Sequence, residues 1–149
     1  MSEPPLYIPV QEIQVLVVDD DIAFRKMIAA KLKILGYKVL QAVNGSDAID
    51  KVLTNAVNII IMDVNMPVMN GPDATRQIRV MGWGTNQVPI IGFSSDDDTE
   101  CKLECLNAGM NTLISKCSGL DVLADAIKHF WLESRSAGNF TVADRNYTF

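Results

Sequence analysis

The sequence predicts an α/β domain: a five-stranded parallel sheet with helices on both faces. Three observations predict it. Short apolar runs alternate five times with stretches of helical period, and alternating strands and helices form a parallel sheet through right-handed crossovers. The runs, of which Ile59-Ile60-Ile61-Met62 is the purest, are rich in β-branched residues and lack a polar face, as strands buried on both sides do. The runs also end in polar side chains, at Asp19-Asp20, Asp63, Ser94 and Lys116. In such a sheet these ends share one edge, and ligands bind at the carboxyl ends of the strands.

Taken in order, residues 1–12 carry Pro4, Pro5 and Pro9 without a period and read as an extended arm. Ile13–Val18 is the first strand. From Ile22 the period becomes helical, with Phe24, Met27/Ile28, Lys31/Leu32 and Leu35 in register and Gly36 as the stop. Asp21 reads as the cap of this helix. Tyr37–Ala42 is the second strand. Asn44-Gly45-Ser46 is a turn with Ser46 as the expected N-cap of a helix over Asp47–Asn55, placing Ala48, Val52 and Leu53 inward. Val57–Met62 is the central strand, and Pro72 opens a helix to about Val80. After the Gly82–Asn86 loop, Val88–Phe93 is the fourth strand. In it Gly92 weakens the strand and marks close backbone packing. Thr99–Ala108 is helical and stopped by Gly109, Thr112–Ser115 is the fifth strand, and Gly119–Trp131 is the last helix, with Leu120, Leu123/Ala124, Ile127 and Phe130/Trp131 buried. The chain from about Ser134 onward reads as a loose tail, whose Phe140, Tyr147 and Phe149 either dock on the domain or stay disordered.

Composition narrows the function. The 149 residues are 48% hydrophobic and 21% charged, enough for one domain with a core, since a chain of this size buries roughly 70% of its unfolded surface. A net charge of −5 without a Lys/Arg block argues against direct nucleic-acid binding and against a polybasic membrane patch. No apolar run reaches the roughly 20 residues of a membrane span, and the first residues do not form a secretory signal. Cys101, Cys105 and Cys117 lack zinc spacing and read as reduced thiols in a cytosolic or nuclear protein. Cys101 and Cys105, at i and i+4, read as small core residues rather than a redox pair.

Two acids at one strand end and a third at another make an oxygen-rich cluster whose charges must be neutralised or whose pKa values must rise. A divalent cation solves this, because Mg²⁺ prefers carboxylates, waters and a phosphate. A carboxylate can accept a phosphoryl group as an acyl phosphate. Lys116 would offer a point charge, and Ser94 a hydroxyl donor, to the phosphoryl oxygens.

Val15-Leu16-Val17-Val18-Asp19-Asp20, then Ile61-Met62-Asp63-Val64-Asn65-Met66-Pro67 with Asn70-Gly71, then Ser94 after Ile90-Ile91-Gly92-Phe93, then Lys116 after Asn107-Ala108-Gly109, closely resemble the receiver domain of two-component response regulators. The resemblance runs from about Ile13 to Trp131. It implies strand order 2-1-3-4-5, a receiver domain over 13–133 and a tail over 134–149. It implies that Asp63 is the phosphoacceptor, and that Asp19, Asp20, Asp63 and the backbone carbonyl of Asn65 hold Mg²⁺ or Mn²⁺. Ser94 and Lys116 would bind the phosphoryl group and switch, and Asn65 and Asp96 would set its lifetime. The implied donor is phosphohistidine on a histidine kinase or a histidine-containing phosphotransfer protein. The implied output is a target protein on the face of the fourth helix, fifth strand and fifth helix, with no nucleic acid or membrane involved. The chain would then be a phosphoacceptor regulator rather than an enzyme, one able to catalyse its own phosphorylation and dephosphorylation. Two residues depart from the pattern: Leu113 stands where the family has an aromatic switch residue, and Cys117 where it has proline, often with a cis bond. A cis bond at Cys117 would cost about 3–4 kcal/mol.

Blander and rival readings stand beside these. Asp97 and Asp98 suit a helix N-terminus; Lys116 read alone is a surface lysine; His129 is a solvated helix residue rather than a phosphohistidine; Trp83 is a packing lid or a partner contact. Asp19-Asp20-Asp21 also has the Asp-x-Asp spacing of haloacid-dehalogenase-type phosphatases, but Ile22-Ala23 lacks the expected small or hydroxylic follow-up, there is no cap domain, and Asp63 would be left unexplained. A receiver-like adaptor working without phosphorylation is the other rival, kept alive by Leu113 and Cys117. The 18 residues after Trp131 are too few for an output domain, so the chain reads as a stand-alone receiver or one excised from a hybrid kinase, with Met1 favouring the former.

Overall fold

The computed structural model describes residues 10–82, 87–95 and 98–137. Five strands alternate with five helices: β1 (Gln14–Val18), α1 (Ile22–Ile34), β2 (Lys38–Ala42), α2 (Gly45–Thr54), β3 (Ile59–Met62), α3 (Gly71–Val80), β4 (Ile90–Ser94), α4 (Thr99–Ala108), β5 (Thr112–Ser115) and α5 (Leu120–Ala137). Every pairing is parallel and the strand order is β2-β1-β3-β4-β5, as the resemblance implies.

Strand side chains alternate between faces, and here both faces are covered. Val15, Val17, Ile59, Ile61, Ile91 and Phe93 pack with Ile28 and Leu32 of α1 and with Leu123, Ile127, Phe130 and Trp131 of α5. Leu16, Val18, Ile60, Met62 and Ile90 pack on the other side with Ala48, Val52, Ala74, Ile78 and Cys105. Two-sided burial explains why the strands carry no polar alternation.

Each of the first four helices begins with an Asx side chain that accepts a backbone N–H from its first turn: Asp21 from Phe24 at 3.1 Å, Asn44 from Asp47 at 2.9 Å, Asn70 from Asp73 at 2.9 Å and Asp98 from Cys101 at 2.7 Å. The expected cap Ser46 is therefore replaced by Asn44, which leaves β2 in the extended conformation a cap requires. Leu53, expected inward, is 64% exposed; the buried face of α2 runs through Gly45, Ala48 and Val52, with Ile49 partly buried. Met27 of α1 and Leu35 at its C-cap are exposed as well, while Arg25 turns inward.

The strands start later than expected at Val57 and Val88. Pro89 has no N–H to donate, so β4 begins after it, although the Pro89 carbonyl still accepts from Ile60 N. The last helix runs past Trp131 to Ala137, so the expected tail from Ser134 begins as helix. Arg135 lies over the Trp131 ring at 4.9 Å, one helical turn on. Val10–Glu12 form a 3-10 turn rather than an extended arm. Residues 1–9, the Trp83 loop segment, Asp96, Asp97 and the tail aromatics lie outside the described residues. The three cysteines are free thiols, with Cys105 buried and Cys117 exposed.

Candidate functional site

Register brings the polar strand ends together. Val18 pairs with Met62 and Met62 with Gly92, so Asp19 and Asp63 leave neighbouring strands at one level, and Ser94 and Ser115 pair alongside. The backbones are tied across the edge, Asp63 N donating to Val18 O at 2.9 Å and Asp19 N to Ala42 O at 3.2 Å. Asp63 is only 8% accessible, Asp19 3% and Ser94 1%, while Asp20 is exposed.

The acids are held from several directions. Asp19 accepts the N–H of Asp21 on one carboxylate oxygen at 2.9 Å and the Lys116 ammonium on the other at 2.8 Å. The same ammonium lies 3.5 Å from Asp63 Oδ1, which also accepts the Val64 N–H at 2.9 Å. Lys116 thus reaches from the end of β5 to bridge both buried carboxylates. Burial and the neighbouring charge of Asp19 push the Asp63 carboxyl up to about 6, against the opposing pull of Lys116 and the Val64 N–H. Burial alone would lower the Lys116 ammonium. Its hydrogen bond to Asp19 and the charges of Asp63 and Asp19 outweigh that and raise it.

One oxygen each from Asp19, Asp20 and Asp63 lies within 4.8 Å of the others. An octahedral Mg²⁺ with ligands at about 2.1 Å spans roughly 3–4 Å between them. The set fits a small hard cation after a slight inward rotation of the carboxylates, and its all-oxygen chemistry suits one. Asn65 is exposed beside the cluster in the β3–α3 loop.

That loop leaves no slack. Gly71 N donates to Val64 O at 2.8 Å, and a Cβ on Gly71 would run into the Asp63 carbonyl oxygen and come within 3.0 Å of Val64 Cα. The Gly71 of the Asn-Gly pair is therefore required by close approach to the Asp63 backbone. At the far side of the edge, the Lys116–Cys117 bond is trans. Lys116–Ser118 form a 3-10 turn capped by Ser115, whose hydroxyl accepts Cys117 N at 3.1 Å. Leu113, half-buried, has a methyl group 2.5 Å from where a Gly92 Cβ would stand: the close approach expected at Gly92 is there, but it is made by the Leu113 and Met110 side chains rather than by backbone.

Three contributors were not singled out from sequence. Arg25 is buried, donating to the Asp19 carbonyl at 2.8 Å and to Gln41 Oε1 at 3.1 Å. Its place three residues before Ile28 and seven before Leu32 was the available signal. Phe24 lies beneath the Lys116 ammonium at 4.4 Å from the ring centroid; its place in the helical period of α1 marks it only as apolar. Val68, in the β3–α3 loop, has φ of 71°, for which a valine gives no sequence signal.

Comparison with known proteins agrees with this geometry. Residues 15–128 match the family model described as the response regulator receiver domain. The chain is 37% identical over 116 residues to the sensor histidine kinase RcsC of Salmonella typhimurium, covering 78% of this chain and 12% of RcsC. It is 34% identical over 142 residues to the autoinducer 1 sensor kinase/phosphatase LuxN of Vibrio campbellii, covering 95% of this chain and 16% of LuxN. Among solved structures, the Francisella response regulator 1452 receiver domain superposes with a TM-score of 0.74 at 27% identity, covering 82% of this chain and 98% of that one. The chemotaxis response regulator CheY4 of Vibrio cholerae gives 0.72 at 29% identity, covering 79% and 98%. With the family model matched over most of its length and the acidic edge in place, the chain belongs to the response regulator receiver domain family.

Proposed function

We propose that this receiver domain accepts a phosphoryl group from phosphohistidine onto Asp63. The observation that carries the reading is the single ammonium of Lys116 spanning Asp19 and Asp63 at the buried end of β3. In the transfer, an Asp63 carboxylate oxygen attacks phosphorus, the P–N bond to imidazole breaks, and the imidazole nitrogen takes up a proton from solvent. With its carboxyl at about 6, Asp63 is mostly ionised at neutral pH and ready as a nucleophile. Asp19, Asp20, Asp63 and the Asn65 carbonyl would hold Mg²⁺ or Mn²⁺, which would supply charge neutralisation for the phosphoryl oxygens. Lys116 would move from Asp19 to a phosphoryl oxygen, Ser94 would donate a hydrogen bond to another, and Asn65 and Asp96 would tune the lifetime of the acyl phosphate.

The donor is a histidine kinase or a histidine-containing phosphotransfer protein. The relatives RcsC and LuxN are named as kinases, and the chain spans 12% and 16% of their lengths. Output goes through the face of α4, β5 and α5, whose state Ser94 would report by shifting two populations. No described helix is long and apolar enough to cross a membrane, and we place the domain in the cytoplasm.

Incubation with Mg²⁺ and acetyl phosphate or phosphoramidate tests the reading. The expected product is a hydroxylamine-sensitive adduct of about 80 Da, abolished by Asp63→Asn and kept in Asp20→Asn at a reduced rate. An adduct that moves to Asp19 or Asp21 would indicate phosphatase-like chemistry. No adduct from any donor would leave an adaptor that works unphosphorylated.

A further inference from the structure

The phosphoacceptor reading requires the Lys116 ammonium to start within reach of Asp63, yet little in its own segment directs it there. The side chain is a flexible four-carbon stem at the start of a 3-10 turn, and a cysteine follows it. Beside the stem is a cavity of about 210 Å³ lined by Phe24, Phe93, Lys116, Gly119 and Leu120 among others. A lysine free to fold back would find room there.

The Phe24 ring lines the same cavity and lies under the ammonium. The ammonium lies 4.4 Å from its centroid, a distance at which the negative face of the ring attracts a cation. The ring is itself held, its centroid 5.6 Å from that of Phe93 at an angle of 44°, and Phe93 is buried immediately before Ser94. The Phe24 backbone is tied back to the acids: its N–H donates to Asp21 Oδ1, and the Asp21 N–H donates to Asp19 Oδ1. The Asp19 carboxylate and the ring on which its counter-cation rests are thus set by one run of backbone, from the end of β1 into α1. A ring face attracts the ammonium without taking up its N–H donors, which stay directed at Asp19 and Asp63.

We propose that Phe24 is a positioning residue for phosphorylation, holding the Lys116 ammonium over the acidic edge. This rests on the phosphoacceptor reading, but the contact can be measured without it. In the unphosphorylated, metal-free protein, the Lys116 ε-methylene protons are expected upfield of those of the other lysines through the Phe24 ring current. The displacement should survive in Phe24→Tyr and vanish in Phe24→Leu, which keeps apolar bulk but removes the ring. With acetyl phosphate and Mg²⁺, the maximal rate of phosphorylation in Phe24→Leu is expected to fall about three- to tenfold, the size of one partly desolvated cation–π contact, with a smaller change in half-saturating donor, and Phe24→Tyr is expected to restore it. An unshifted Lys116 in the wild-type protein would overturn the contact, and a wild-type rate in Phe24→Leu would overturn the role. If Phe24→Leu lost its folded amide spectrum, equal rates in Phe24→Tyr and wild type with the shift retained would support the proposal, and a slow Phe24→Tyr with the shift retained would overturn it. A wild-type protein that takes no phosphoryl group from any donor, with the shift present, would overturn the phosphoacceptor reading and the role that rests on it, leaving the contact standing.

Discussion

The two ends of the sheet's carboxyl edge are built to different tolerances. At β1 and β3 the acids are fixed by backbone: Asp19 and Asp63 are tied to neighbouring strands, Asp19 and Asp63 each accept a local N–H, and Gly71 presses on the Asp63 carbonyl. At β4 and β5 the strands are also paired, but the side chains at issue are placed by other side chains or by open space: the Lys116 ammonium rests on the Phe24 ring, and the Leu113 methyl fills the space a Gly92 Cβ would take. Backbone contacts cannot relax without moving a strand, whereas flexible side chains can. The difference teaches that the acceptor is rigid and that adaptability lies at the β4–β5 end, which also holds Leu113 and Cys117.

A methyl group added at each end should expose this contrast most strongly. At Gly71 the new Cβ meets Asp63 carbonyl oxygen and Val64 Cα, both backbone. We expect Gly71→Ala to lose about 3 kcal/mol or more of stability in urea denaturation, and to slow phosphorylation by displacing Asp63. If it were as stable as wild type, the acceptor edge would not be rigid.

The second effect is electrostatic and belongs to the acceptor end alone. The Asp63 carboxyl is raised from 3.8 to about 6, so the folded state binds its proton more tightly than the unfolded state does. The stability this contributes is fully present below about pH 4 and is lost as pH rises through about 6. Its size is on the order of 2 kcal/mol. The wild-type protein should therefore lose stability relative to Asp63→Asn between about pH 4 and 7, as followed by urea midpoints in metal-free buffer. Mg²⁺ should return part of the loss by binding the folded state. Parallel pH profiles for the two proteins would contradict the crowding of Asp63 by Asp19 and burial.

The third effect belongs to the β4–β5 end. A Cβ at Gly92 would meet Leu113 Cδ1 at 2.5 Å and Met110 Sδ at 2.8 Å, both ends of movable side chains. Gly92→Ala should cost only about 1 kcal/mol, the clash being partly offset by the lower flexibility of alanine in the unfolded chain. Its signature should be Leu113 turned outward, read from its methyl shifts. A loss as large as that of Gly71→Ala would erase the distinction between the two ends.

The same contrast governs what could be read from sequence. Strands buried on both faces lose their alternation, so Ile59–Met62 and Val15–Val18 stood out, and acids directly after them marked the site. Lys116 was legible through its place after the last strand. The ring under it was not, because Phe24 also fits the apolar period of α1, and a period does not tell a core contact from a contact with a cation. Arg25 was hidden for the opposite reason, since a charged residue inside the apolar stripe is discounted unless its partners, here the Asp19 carbonyl and Gln41, are known. Asn44 and Ser46 are both good caps two residues apart, and only the exit direction of β2 decides between them. Leu53 stands one residue beyond the α2 stripe, a rotation of about 100° that moves it from core to water.

The smallest expected effect lies at the one loose point of the rigid end. Val68 sits between Pro67 and Met69 with φ of 71° and is 83% exposed. A β-branched residue in the left-handed region is an outlier, at a cost of roughly 1–2 kcal/mol. Exposure leaves little packing to offset it. Its neighbours carry the loop's constraints: Met69 N donates to Pro67 O at 2.8 Å, Met69 O accepts Gly45 N at 3.1 Å, and Gly71 follows against Asp63. Val68 is thus held in place from both sides rather than by its own side chain. Val68→Gly should relieve the strain but increase the backbone freedom lost on folding by roughly 0.5–1 kcal/mol. The net expectation is a gain of about 0.5 kcal/mol, read as a small rise in urea midpoint with an unchanged slope. The phosphorylation rate should stay at the wild-type level, because the Asp63 backbone is fixed from Val18 and Gly71 and not from Val68. A loss of stability would mean that the valine side chain has a contact that its exposure denies. A changed rate with unchanged stability would place Val68 among the residues that set the acceptor, and the rigid end would then extend one loop further than its hydrogen bonds indicate.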